Sequence, residues 1–148
     1  MEESIIIRIP LDENPKSTAQ EKGVSTRGGR VHHYEKPEVK QMRNIYTVAI
    51  KQEIIRHGLK NCLPIIGAIA LDVSFRYSTK DEKKWGQPKT SKPDCDNIIK
   101  LLQDALADCG FFMFGDEQVT KLTVGKYWSE NPEITIRISP HVVWRAYA

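Results

Sequence analysis

Cysteine is scarce in this chain of 148 residues. Cys62, Cys95 and Cys109 are odd in number and show no CxxC spacing, so neither a disulfide framework nor a zinc knuckle is supported. Reduced, partly buried thiols are the expectation. Long apolar runs are missing as well, since none reaches the ~18 consecutive residues that a membrane span requires. Met1-Glu2-Glu3-Ser4 is acidic where a secretory leader is basic, which points to a cytoplasmic protein with no membrane partner. There is no GxxxxGK phosphate loop and no serine-nucleophile motif, which argues against an NTPase or an esterase. No charge of one sign dominates: 22 lysines and arginines face 19 aspartates and glutamates, a net charge of +3. Composition alone therefore does not announce a nucleic-acid binder.

The length suits one domain, read as residues 1–140 followed by a tail at 141–148. A chain of this size buries roughly 70% of its unfolded surface and needs no staples. The distribution of charge says more than its sum. Between Lys80 and Lys92 stand Lys80, Lys83, Lys84, Lys89 and Lys92 against Asp81 and Glu82, interleaved with Trp85, Gly86 and Pro88, which reads as a basic, mobile loop. A second polar stretch, Asp12 to Lys36, carries Lys16, Lys22, Arg27, Arg30, His32, His33 and Lys36 around Gly28-Gly29. Either one alone reads as a solvated connector, and the histidines as exposed loop residues. Two of them in one small domain make phosphate-backbone contact plausible, with Arg27, Arg30, Lys83, Lys84, Lys89 and Lys92 as the candidate contacts.

Periodicity sets the order of the elements. Ile5, Ile7 and Ile9 alternate with Ile6 and Arg8 and Pro10 ends the run, the period of a strand. Val39, Met42, Tyr46, Ala49 and Ile50 recur at spacings of three and four, which predicts an amphipathic helix from Pro37 to His57 stopped by Gly58. Strict alternation returns from Gly67 to Tyr77, with Ile69, Leu71, Val73, Phe75 and Tyr77 on one face. Ile98, Leu102, Ala105, Leu106 and Cys109 form a second helical stripe closed by Gly110. Alternating runs at Val119 to Trp128 and Ile134 to Ile138 follow, joined by a hairpin connection around Ser129-Glu130-Asn131-Pro132. The order strand, helix, strand, helix, strand, strand predicts an α+β domain with helices packed on a mostly antiparallel sheet.

The segment Lys92-Pro93-Asp94-Cys95-Asp96-Asn97 carries the chemistry. Two acids two apart on one helix point about 200° away from each other, so a shared site requires Asp94 to stand in the extended approach to the helix. Asp96, Lys100 and Asp104 follow at spacings of four on the polar ridge. Carboxylates at this density suit a hard divalent cation, and Asp116, placed after Gly115 and beside Glu117, is the most economical third acid. Each feature also has a plain structural reading: Asp94 as a helix cap and Asp116 as a turn residue.

Lys92-Pro93-Asp94-Cys95-Asp96-Asn97, Lys100, Asp104-Ala105-Leu106 and Gly115-Asp116-Glu117-Gln118-Val119 together resemble the signature of the RusA family of Holliday junction resolvases. These are small homodimeric Mg²⁺-dependent endonucleases found largely in phages and prophages. The likeness is dense from Lys92 to about Lys126. It implies a RusA-like fold, Asp94, Asp96 and Asp116 as metal ligands and catalytic residues, Lys100 as a catalytic lysine, Mg²⁺ (or Mn²⁺) as cofactor, and four-way-junction DNA as substrate, nicked twice by a homodimer. The chain departs from the family where an acidic pair is usual and Gly115-Asp116 stands, which leaves Glu117 as the rival third ligand. A junction-binding protein that does not cleave is the alternative reading.

Overall fold

The computed structural model describes residues 4–16, 22–27 and 29–143. Six strands and two helices follow in the order β1 (Ile5–Pro10), β2 (Lys22–Arg27), β3 (Arg30–Glu35), α1 (Pro37–Arg56), β4 (Ile69–Ser78), α2 (Cys95–Asp108), β5 (Val119–Ser129) and β6 (Glu133–Pro140). The main sheet runs β1-β6-β4-β5. β6 is antiparallel to both β1 and β4, whereas β5 is parallel to β4, so the sheet is mixed. Parallel neighbours need a crossover. Here that crossover contains α2, and β4, α2 and β5 form a β-α-β unit.

The apolar alternation seen in the sequence is the inner face of the sheet. Ile5, Ile7 and Ile9 of β1, Leu71, Val73, Phe75 and Tyr77 of β4, and Ile134, Ile136 and Ile138 of β6 are buried. Val39, Met42, Tyr46 and Ile50 of α1 and Ile98, Leu101, Leu102, Ala105 and Leu106 of α2 cover them. Each fully buried leucine on α2 contributes about 1.5–3 kcal/mol of transfer free energy. At the end of α1 Gly58 adopts φ +62, the left-handed conformation in which glycine avoids a Cβ clash. Arg43 of α1 reaches Asp108 at the end of α2, Nε to Oδ2 at 2.9 Å, a partly exposed link worth at most about 1 kcal/mol.

Two expectations are corrected by the topology. The connection around Ser129-Glu130-Asn131-Pro132 does not join a hairpin, because β5 and β6 lie on opposite sides of β4 and do not pair. Antiparallel direction and a short link were visible in sequence, but the intervening strand was not. The basic stretch before Pro37 is not a bare connector: β2 and β3 form a two-stranded antiparallel hairpin with Arg27 opposite Arg30. Val24 and Thr26 alternate with other residues there, and two glycines separate Arg27 from Arg30, a hairpin pattern hidden by the surrounding charge. The tail beyond Val143 lies outside the described residues. Among those described, no helix is long and apolar enough to cross a membrane.

Candidate active site

Residues 79–94 link β4 to α2, and they are folded where the sequence suggested mobility. The Asp81 carboxylate accepts from the Lys83 amide at 3.1 Å and caps a single helical turn, Glu82–Lys84. The Trp85 indole N–H donates to the Thr79 carbonyl at 2.9 Å. Gly86 N donates to Trp128 O at 2.8 Å, Trp128 N to Gln87 O at 2.9 Å, and Lys89 N to Lys126 O at 3.0 Å. The loop thus runs back along the outer edge of β5 and protects it. Lys83, Lys84 and Lys92 are exposed, and Lys84 sits 5.8 Å from the centre of the Trp128 ring.

Lys89 differs from its neighbours. Only 8% of it is exposed. Its ammonium donates to Ser91 O at 3.1 Å, to Ser91 Oγ at 2.8 Å and to Lys92 O, and lies 4.9 Å from the Tyr77 ring and 5.0 Å from the Trp128 ring. Burial, and then the nearby Lys126 ammonium, push its pKa below the usual lysine range. The donors of Lys89, a candidate phosphate contact in the sequence, are engaged inside the protein. Arg27 and Arg30 face each other across the hairpin, and their side chains lie outside the described residues.

Asp94 occupies the cap position of α2 with extended backbone, φ −74 and ψ 148, as a shared site requires. Its carbonyl accepts from Asn97 N and Ile98 N, each at 3.1 Å, while its carboxylate makes no capping bond. The cap reading fails for the side chain, which is left exposed. Asp96 is exposed in the first turn and Lys100 is exposed one turn further on. A cleft of about 660 Å³ opens beside Asp94, lined also by Pro15, Lys16, Lys36, Glu38, Lys92, Pro93 and Asn97. Acid and base thus meet at one end of α2, where the helix amides add positive potential.

Asp116 is elsewhere. It opens a one-turn helix, Asp116–Gln118, directly before β5. Cys95, beside Asp94, has its sulfur 3.8 Å from the carbonyl oxygen of Val124, and the five residues from Val124 back to Val119 span about 17 Å of strand. One chain therefore brings Asp94 and Asp96 to one end of α2 and carries Asp116 toward the other. Among the described residues no group of three His, Cys, Asp or Glu side chains is arranged to hold a metal ion. Two hard oxygen donors at the start of α2 suit a Mg²⁺-type cation as part of the protein share of its shell, and the described residues do not group Asp116 of the same chain with them. The exposed Glu117 folds its carboxylate back over Gly115, where a Cβ would lie 2.5 Å from Oε2.

Three residues went unnoticed as site residues in the sequence. Lys16 and Lys36, seen in the sequence only as members of a basic stretch, are brought to the cleft by segments remote from α2. Lys126 did carry a signal, for it interrupts the apolar alternation of Leu122, Val124 and Trp128 in the sequence. Its ammonium donates to Ser91 O and Pro93 O, both at 2.7 Å.

An acidic helix end beside a cleft lined by Lys16, Lys36 and Lys92 is chemically suited to a phosphate polyanion. The Endodeoxyribonuclease RusA family profile matches residues 12–139, and the chain belongs to that family. It is 31% identical over 129 residues to the Crossover junction endodeoxyribonuclease rusA of Lactococcus phage r1t, covering 87% of this chain and 92% of the relative. It is also 28% identical over 119 residues to the Uncharacterized protein YqaN of Bacillus subtilis (strain 168), covering 77% and 82%.

Proposed function

We propose that this endodeoxyribonuclease resolves four-way DNA junctions by hydrolysing paired phosphodiesters, with Mg²⁺ or Mn²⁺ as cofactor, in recombination and repair. The carrying observation is the exposed Asp94, which lines one cleft with Lys16, Lys36 and Lys92 while Asp96 stands exposed in the first turn of α2 beside it. The similarity to the phage r1t junction endonuclease supports the substrate, and with it a phage or prophage origin and a cytoplasmic site of action. When bound, the cation lowers the pKa of a water and polarises the scissile phosphate. Asp94 and Asp96 hold that cation, Lys100 steadies negative charge developing on the phosphate, and the cleft lysines orient the backbone without reading bases.

The remote position of Asp116 bears on the assembly. A homodimer places two identical sites to make two symmetric nicks. It also allows Asp116 of a second copy to join Asp94 and Asp96 of the first, so that metal-dependent cleavage requires the dimer. Nicking of a synthetic four-way junction against linear duplex, with and without Mg²⁺, tests the function. Selective Mg²⁺-dependent nicking of the junction is the expected result. Junction binding without cleavage in either metal overturns it and leaves a non-cleaving junction-binding protein.

A further inference from the structure

Lys89 and Lys126 come from different elements and converge on one short piece of backbone. Together their ammonium groups serve all three carbonyls of Ser91, Lys92 and Pro93, the residues immediately before Asp94, and they share the carbonyl of Ser91. Lys89 is held from behind by the Tyr77 and Trp128 rings, so its position is set by the core of the sheet. Lys126 stands on β5 in the register of Val124 and Trp128. Asp94 itself lacks a side-chain capping bond that would hold it in place. Its placement depends on the chain that delivers it.

We infer that Lys89 and Lys126 are positioning residues for cation binding, a clasp that fixes the Ser91–Pro93 segment and thereby sets the Asp94 carboxylate where it meets Asp96. This rests on the reading of Asp94 as a metal ligand. The physical reasons are specific. Lysine presents three donors on one nitrogen, which suits several converging carbonyl oxygens. Hydrogen bonds from a charged donor are about twice as strong as neutral ones, so two ammonium groups on three consecutive carbonyls suppress motion that ordinary loop bonds permit. A ligand supported in this way binds its cation more tightly, because less ordering remains to be done on binding; loss of a supporting partner typically costs about 10–100-fold in metal affinity.

The test uses the full chain with Lys126→Met, Lys89→Met, Lys126→Arg and Asp94→Asn. Mn²⁺ occupancy is read by electron paramagnetic resonance on the protein bound to an uncleavable four-way junction, metal-free junction affinity by gel shift, and nicking as a function of Mn²⁺ concentration. Lys126→Met is expected to weaken Mn²⁺ binding at least about tenfold and to raise by the same factor the Mn²⁺ needed for half-maximal nicking. Junction affinity without metal should change less than about threefold, and Lys126→Arg should restore most of the loss. Lys89→Met should behave like Lys126→Met; if it does not fold, Lys126→Met decides alone. Unchanged Mn²⁺ binding with weakened junction binding overturns the inference and makes Lys126 a phosphate contact. Asp94→Asn retaining Mn²⁺ also overturns it, because the clasp then has no ligand to position. A wild-type protein that binds Mn²⁺ but leaves the junction intact refutes the nuclease reading instead, and the Mn²⁺ measurements still decide the clasp.

Discussion

The Gln118 side-chain amide donates to the carbonyls of Ile65 at 2.9 Å and Gly67 at 3.0 Å, and its oxygen accepts from the Phe114 amide at 2.6 Å. Gln118 is buried, so these bonds are made away from water and pin the turn bearing Asp116 to the start of β4. Gln118→Leu takes the partner from the Gly67 carbonyl and the Phe114 amide, while the Ile65 carbonyl keeps the Met113 amide, and is expected to cost about 1–3 kcal/mol. Chemical denaturation checks this; a loss under about half a kcal/mol means that the turn is held by packing alone.

Separation of Asp116 from Asp94 and Asp96 predicts complementation between inactive copies. Asp96→Asn and Asp116→Asn homodimers should both fail to nick a junction. A heterodimer of the two, isolated after co-expression with different tags, contains one site with Asp94, Asp96 and Asp116 intact if the site is shared across the dimer. It should nick one strand. An inactive heterodimer excludes sharing, and an active Asp116→Asn with an inactive Glu117→Gln moves the third ligand by one residue.

The exposed loop lysines should contribute to binding by neutralising phosphates. Lys83→Ala, Lys84→Ala and Lys92→Ala together are expected to weaken binding to junction and duplex alike and to reduce the slope of log affinity against log salt by about one for each phosphate left without its lysine. Fluorescence anisotropy at several salt concentrations measures it. An unchanged slope places the DNA on Lys16, Lys36 and the β2–β3 hairpin.

Tyr46 is fully buried on α1, and its hydroxyl has no hydrogen-bond partner among the described residues. Burial, with the neighbouring Tyr77 second, pushes its pKa far above the usual tyrosine range. Tyr46→Phe removes an unpaired polar group without opening a cavity, so stability should stay level or rise by up to about 1 kcal/mol. A loss of about 1 kcal/mol or more in urea denaturation refutes the absence of a partner.

Local information reached as far as elements and no further. The period-2 run from Ile69 to Tyr77, the Val39-Met42-Tyr46-Ile50 stripe and the extended approach of Asp94 to its helix are set by residues close together in the chain, and all appear in the structure. Pairing is different, because hydrogen bonds between strands join residues far apart in sequence. That is why β5 and β6 flank β4 instead of pairing, and why β5 runs parallel to β4. The same applies to Lys89. Its sequence neighbourhood is polar and basic, but the strand edge it lies against turns its ammonium inward onto Ser91 and Lys92. Asp94 and Asp96 stand at a helix start that sequence alone determines, whereas the place of Asp116 at the opening of β5 follows from the direction of β5, which only the tertiary structure decided.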